Sequence, residues 1–257
     1  KTPPHLKWCC SDILGLLPIH AAGIYGGRLK ESVPEFVISS YTPSLSSLLA
    51  PPQSAGRDAI MLLACLKDAP GLPPLPNVSV EVQLIKDTLA YNASDISSIC
   101  LEDNEATCNV VLESMTKAHI VHLACHGTSM DNPLESAIIL HDGRIKVDQL
   151  MRTPFPNAKL VFLSACQTAQ MNPSEPDEYI HIAAAMLFAG FKSVIGTMWS
   201  INDSDAPLIA KSFYQHLMKD GKINFADVSL ALHNAVRELR ATGVSPLQWV
   251  PFIHIGL

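Results

Sequence analysis

Two residues able to do covalent chemistry together stand at the ends of two similar apolar runs. In Val161-Phe-Leu-Ser-Ala-Cys-Gln-Thr168 a β-prone segment gives way to polar residues at Cys166. In His119-Ile-Val-His-Leu-Ala-Cys-His126, followed by Gly127, the same switch happens at an imidazole. A thiol attacks a carbonyl as its thiolate, and a neighbouring imidazole can take its proton or lower its pKa. If the two runs are adjacent strands in register, His126 and Cys166 emerge together as base and nucleophile. Gly127 has no Cβ, so its N–H can approach a ligand closely, and with the Cys166 N–H it could form an oxyanion hole. The competing reading is that Cys166 is an ordinary buried thiol, the commoner fate of a cysteine at a strand end.

The neighbouring residues offer further alternatives. His122 and His126 share a strand face but lie roughly 13 Å apart at the usual rise, so both cannot ligate one metal while the strand stays regular. His122 is expected to be a core histidine, or one supporting the site from behind, and Cys125 a core thiol on the opposite face. A zinc site from His122, Cys125 and His126 lacks a second ligand pair at usable spacing. No metal or cofactor is expected.

The elements that must position these groups alternate along the chain. Apolar runs at Glu35–Ser40, Ala59–Leu66, Ile96–Cys100, Lys159–Ala165 and Ser193–Met198 read as strands, and Trp249–Ile255 as a short terminal one. Helices are expected at Leu45–Leu49, Val78–Tyr91, Glu105–Lys117 (capped by Asn104), Glu178–Ala189, Ala206–Lys219 and Asn224–Ala241. His141-Asp-Gly143 marks a hairpin between Ser136–Leu140 and Arg144–Val147. Residues 1–35, rich in Pro and Gly, read as an irregular or short-stranded N-terminal segment. This alternation predicts an α/β fold with a mostly parallel central sheet covered on both faces. No internal repeat or low-complexity tract is visible, and one domain over residues 1–257 is the simplest account.

Composition narrows the function classes. Apolar residues make up 48% of the 257, enough for a substantial core, and a formal net charge of −6 argues against nucleic acid as a partner. No apolar run approaches the roughly 18 residues of a membrane span. Seven cysteines without regular spacing, several inside apolar runs, suggest reduced thiols and a cytoplasmic location. There is no Gly-rich phosphate loop and no Cys-x-x-Cys. The chain opens on Lys1 and is expected to be a domain of a longer protein.

In order and spacing, His122-Leu-Ala-Cys-His-Gly127, Leu163-Ser-Ala-Cys-Gln-Thr168 and Trp199-Ser-Ile-Asn-Asp203 with Ala206-Pro207 resemble the CHAT domain. That is a caspase-like domain usually fused to tetratricopeptide repeats, within the caspase, separase and gingipain group of cysteine peptidases. Leu17-Pro-Ile-His-Ala-Ala-Gly23, Ser40-Tyr-Thr-Pro-Ser44 and Trp249-Val-Pro-Phe-Ile-His-Ile-Gly256 resemble its other signatures, and Glu178–Trp199 is most similar to fungal members. The resemblance implies a caspase-like three-layer α/β/α fold, with His126 as general base or acid and Cys166 as nucleophile. It implies a cysteine endopeptidase acting on a protein substrate and governed by an upstream repeat region. A catalytically silent interaction or signalling module on the same fold is the alternative.

The loop Trp199–Asp205 occupies the place where relatives build the pocket for the residue before the scissile bond (P1). Asp203, with Trp199 and Asp205, is expected to line it and favour a basic P1 residue, because a desolvated cation needs a partner charge. Alternatively Asp203 or Ser204 caps the following helix. Glu175, Asp177 and Glu178 could bind a divalent ion, but such a cluster is usually a solvated helix start. No Arg or Lys lies from Gln167 to Tyr179, so self-cleavage after a basic residue is not expected there. The proline-rich segment Asp68–Asn77 reads as a stiff surface connection.

Overall fold

A computed structural model describes residues 2–10, 14–15, 17–25, 31–43, 59–92, 96–128, 130, 132–164, 178–219 and 222–256. The expected helix Leu45–Leu49, Cys166, Glu175 and Asp177 lie outside the described residues, as does the side chain of Glu178. The described strands are β1 (His5–Trp8), β2 (Gly23–Ile24), β3 (Glu31–Ser32), β4 (Ile38–Tyr41), β5 (Ile60–Cys65), β6 (Ser97–Glu102), β7 (Ile120–Ala124), β8 (Gly127–Thr128), β9 (Ala137–Leu140), β10 (Gly143–Lys146), β11 (Leu160–Leu163), β12 (Ser193–Thr197) and β13 (Phe252–Gly256). The α-helices are α1 (Val78–Asn92), α2 (Cys108–Lys117), α3 (Val147–Arg152), α4 (Glu178–Phe188), α5 (Ala206–Leu217), α6 (Val228–Ala241) and α7 (Pro246–Trp249).

Among the described residues eight strands form the central sheet, in the order β1-β4-β13-β12-β11-β7-β5-β6. The single antiparallel junction, β12 against β13, separates five parallel strands from three that run the opposite way. Alternate residues of each buried strand feed two cores. Met61, Leu63, Ile120 and Phe162 pack with α1, α5 and α6, whereas Leu62, Val121, Leu123 and Val161 pack with α2, α3 and α4. This is the expected three-layer α/β/α architecture with a mostly parallel sheet, and it explains why the central strands read as continuous apolar runs.

Local chemistry moved several boundaries. Pro34 favours a 3-10 turn over Val33–Glu35, so the strand expected from Glu35 begins at Ile38. The helix expected from Glu105 begins at Cys108, whose N–H is taken at 2.7 Å by the Asp142 carboxylate from the β9–β10 hairpin. Asn224 caps a 3-10 turn, and α6 follows it from Val228. Trp249, expected in the last strand, ends α7, which a Ser245–Gln248 capping box starts. Gly190 (φ +120°) stops α4, and the Phe191 N–H returns to the Met186 carbonyl at 3.0 Å.

Candidate active site

The parallel strands β5, β7, β11 and β12 all finish at one edge of the sheet, the edge where open α/β folds gather their ligand-binding loops. β7 and β11 are neighbours, with Leu123 opposite Leu163. By sequence, His126 and Cys166 each stand three residues beyond that pair.

His126 is fully buried, and its Nε2 lies 2.8 Å from the Pro73 carbonyl oxygen. A carbonyl only accepts, so Nε2 carries the hydrogen, and in the neutral ring Nδ1 is then the proton-accepting nitrogen. The carbonyl comes from the loop after β5, within the proline-rich Asp68–Asn77 stretch that by sequence reads as a stiff surface connection. A main-chain oxygen leaves no residue-type signature, so nothing in the sequence pointed to it.

The His126 backbone is fixed as well. Its carbonyl accepts the Ile139 N–H at 2.8 Å, and Gly127 pairs with Ile138 in a three-stranded sheet of β8, β9 and β10. That bond makes Gly127 and Ile138 a non-hydrogen-bonded pair, so the ladder leaves the Gly127 N–H unused.

A polar cluster is buried behind these strand ends. Glu81 of α1 is 1% exposed, and its Oε1 accepts a hydrogen bond from the Ser164 hydroxyl. His122 Nε2 lies 3.1 Å from the same oxygen but off the line of a hydrogen bond, and His122 Nδ1 is 3.1 Å from the Tyr214 hydroxyl. Burial first, and then the Glu81 charge, push the Tyr214 phenol well above its ordinary range, so it stays protonated and can donate to Nδ1. His122 is fully buried, as expected, and Cys125 lies in the opposite core. The three members of the suggested zinc cluster therefore do not converge on one side. Among the described residues no three His, Cys, Asp or Glu side chains are grouped to hold a metal. Glu81 had a sequence signal, a carboxylate within the apolar stripe Val78, Val82, Ile85 and Leu89.

The loop after β12 holds Trp199, Asp203 and Asp205. Asp203 is half-buried, and its Oδ2 accepts both the Asn77 backbone N–H at 2.9 Å and the Asn77 side-chain amide at 2.7 Å. Neither Asp203 nor Ser204 is the N-cap of α5; Asp205 holds that position without a side-chain cap bond. The buried Asp205 carboxylate instead accepts from Gln248 Nε2 at 3.1 and 3.3 Å and from Asn202 at 3.4 Å. The Trp199 indole N–H donates to the Leu247 carbonyl at 3.2 Å, which anchors this loop to α7.

The model of the CHAT domain family matches residues 1–257. The chain belongs to the CHAT domain family. No curated protein sequence matches it. Among solved structures, this CHAT domain is similar to separase in the separase–securin complex of Saccharomyces cerevisiae. There the TM-score is 0.64 at 16% identity, over 98% of this chain and 15% of separase. It is also similar to the Arg-specific cysteine proteinase gingipain R, with a TM-score of 0.58 at 11% identity over 92% of this chain and 58% of that one. A complex of the pro- and mature domains of the Porphyromonas gingivalis enzyme gives 0.54 at 10% identity, over 86% and 55% of the two chains. The CHAT domain thus spans only part of each relative, and at these identities the likeness is one of fold: the caspase-like fold of separase and gingipain.

Proposed function

We propose that this CHAT domain is a cysteine endopeptidase that works through a His126–Cys166 dyad. The observation that carries the reading is the pairing of β7 with β11 in register, with the His126 ring held by the Pro73 carbonyl so that Nδ1 is the accepting nitrogen. Nδ1 takes the Cys166 S–H proton as the sulfur attacks the scissile carbonyl. The oxyanion that develops is met by the N–H groups of Gly127 and Cys166. When the tetrahedral intermediate collapses, the C–N bond breaks, the imidazolium returns its proton to the leaving amine, and a thioester remains. Water, deprotonated by His126, then hydrolyses the thioester and regenerates the thiol.

The loop with Trp199, Asp203 and Asp205 forms the P1 pocket, and Asp203 selects a basic residue. Asp205 is engaged with Gln248 and Asn202, whereas both Asn77 bonds to Asp203 fall on Oδ2, so that among the described residues Oδ1 is the atom offered to a P1 cation. The Arg specificity of gingipain R, on the same fold, agrees with a basic P1 residue. The substrate is a protein, the enzyme acts in the cytoplasm, and an upstream tetratricopeptide-like region regulates it. Separase, of the same fold, is seen bound to a protein partner, securin.

The test is a fluorogenic peptide library with basic, acidic and apolar P1 residues, run on wild type and Cys166→Ala, with and without calcium. Turnover of basic-P1 peptides that disappears in Cys166→Ala supports the reading. Equal turnover in both proteins, or none in either, favours a silent interaction module.

A further inference from the structure

We propose that Asn77 is a positioning residue that couples the P1 pocket to the general base. The inference rests on the peptidase reading above and names a residue that reading does not require.

The loop between β5 and α1 makes two contacts that matter, four residues apart. The Pro73 carbonyl accepts the His126 Nε2–H at 2.8 Å, and Asn77 gives two N–H donors to the Asp203 Oδ2, at 2.9 and 2.7 Å. The chain joining them has little freedom. Residues 73, 74 and 76 are prolines with φ fixed by their rings. Leu75 between them is fully buried, and its N–H closes the loop on the Lys67 carbonyl at 2.8 Å. The base of the loop is tied by Lys67 N–H to the Asp103 carboxylate at 3.1 Å, and its far end by the Glu81 N–H to the Asn77 carbonyl at 2.9 Å, at the start of α1.

Residues 73–77 therefore move as one piece. A change in how Asp203 sits reaches the Pro73 carbonyl, and through it the orientation and tautomer of His126. Asn77 fixes the Asp203 rotamer before substrate arrives, and a P1 cation seated on Asp203 tightens the piece that aligns the base. The P1 residue then contributes to kcat as well as to KM, which a simple binding pocket does not do.

The experiment compares the 257-residue chain as wild type, Asn77→Ala, Asn77→Ser, Asp203→Asn and the Asn77→Ala/Asp203→Asn double variant. Two readouts are taken: kcat and KM on matched P1-Arg and P1-Ala peptides, and the ¹⁵N signals of the His126 ring without substrate. Asn77→Ala removes one hydrogen bond to a charged group and is expected to lower kcat/KM for P1-Arg roughly tenfold or more, with part of the loss in kcat. The P1-Ala peptide should lose less. Asn77→Ser, which keeps a donor, should recover part of the loss, and the double variant should be no worse than Asp203→Asn alone. In the spectrum, the single Nε2–H tautomer of wild type should become a mixture in Asn77→Ala. An unchanged His126 ring, or losses that simply add, overturns the coupling. If the Cys166→Ala control shows no cysteine-dependent turnover at all, the peptidase reading has failed, and the ring spectrum alone decides the coupling.

Discussion

Glu81 offers the sharpest test of how the strand ends are held. Its carboxylate is buried between α1, β7 and β11, where it accepts from Ser164 and faces His122 Nε2 at 3.1 Å. Replacing Glu81 with Ala leaves the Ser164 hydroxyl, 1% exposed, without its acceptor, and leaves the fully buried His122 without its carboxylate. Orphaning that hydroxyl, together with the cavity the side chain vacates, costs about 2–4 kcal/mol. For a domain of this size that is a fall in melting temperature of roughly 4–16 °C. Glu81→Gln keeps an acceptor oxygen and nearly the same volume, so it should cost about 1–2 kcal/mol. His122→Phe combined with Glu81→Leu removes both polar groups together, and its cost should fall well short of the sum of the single changes. Urea unfolding of Glu81→Ala, Glu81→Gln, Glu81→Leu, His122→Phe and the double variant at neutral pH measures this directly. A loss under about 1 kcal/mol for Glu81→Ala, or strict additivity in the double variant, would refute the view that the cluster is a coupled buried unit.

Other expectations follow from single residues. His20, His233 and His254 line a cavity bordered by β4, β13 and α6, and burial lowers them to about 4, about 4 and about 3. A histidine whose folded value is depressed binds its proton more readily when unfolded. Its contribution is therefore complete above the unfolded value of 6.5 and is lost as pH falls toward the folded one. Between neutral pH and about pH 4.5, His254 alone should remove on the order of 2–3 kcal/mol, so His254→Phe should flatten the pH dependence of the urea midpoint; an unchanged slope counts against this. Gly256 sits at φ +134°, and a Cβ there would run into the Lys192 carbonyl oxygen, so Gly256→Ala should cost roughly 2–4 kcal/mol in a thermal melt, and a melt like wild type's would contradict the close strand approach. Cys125→Ser, in the core beneath α2 and α3, should cost about 1–3 kcal/mol without changing kcat. If it abolished cleavage while Cys166→Ala did not, the nucleophile would be misassigned.

The sheet was legible because its central strands are buried on both faces and read as unbroken apolar runs, as at Ala59–Leu66. The candidate base His126 and the Cys166 run stood out in the sequence for a related reason: each apolar run gives way abruptly to polar residues. The reversal of β13, β4 and β1 was not legible, since strand direction leaves no trace in periodicity. Nor were the contacts that orient the site. Pro73 acts through its main chain, and Asn77 meets Asp203 across 126 residues of sequence. The start of α2 also escaped notice because the acceptor for its first N–H is Asp142, from a distant hairpin.

The central claim, that Cys166 is a nucleophile activated by His126, is tested most directly by a peptidyl electrophile with Arg at P1. Intact-mass and peptide mapping would follow its reaction with wild type and His126→Ala at neutral pH. The account predicts one adduct, on Cys166 among the seven cysteines, formed in wild type and suppressed in His126→Ala. An adduct that forms equally in both proteins, or that falls on the exposed Cys9 in place of Cys166, would contradict it.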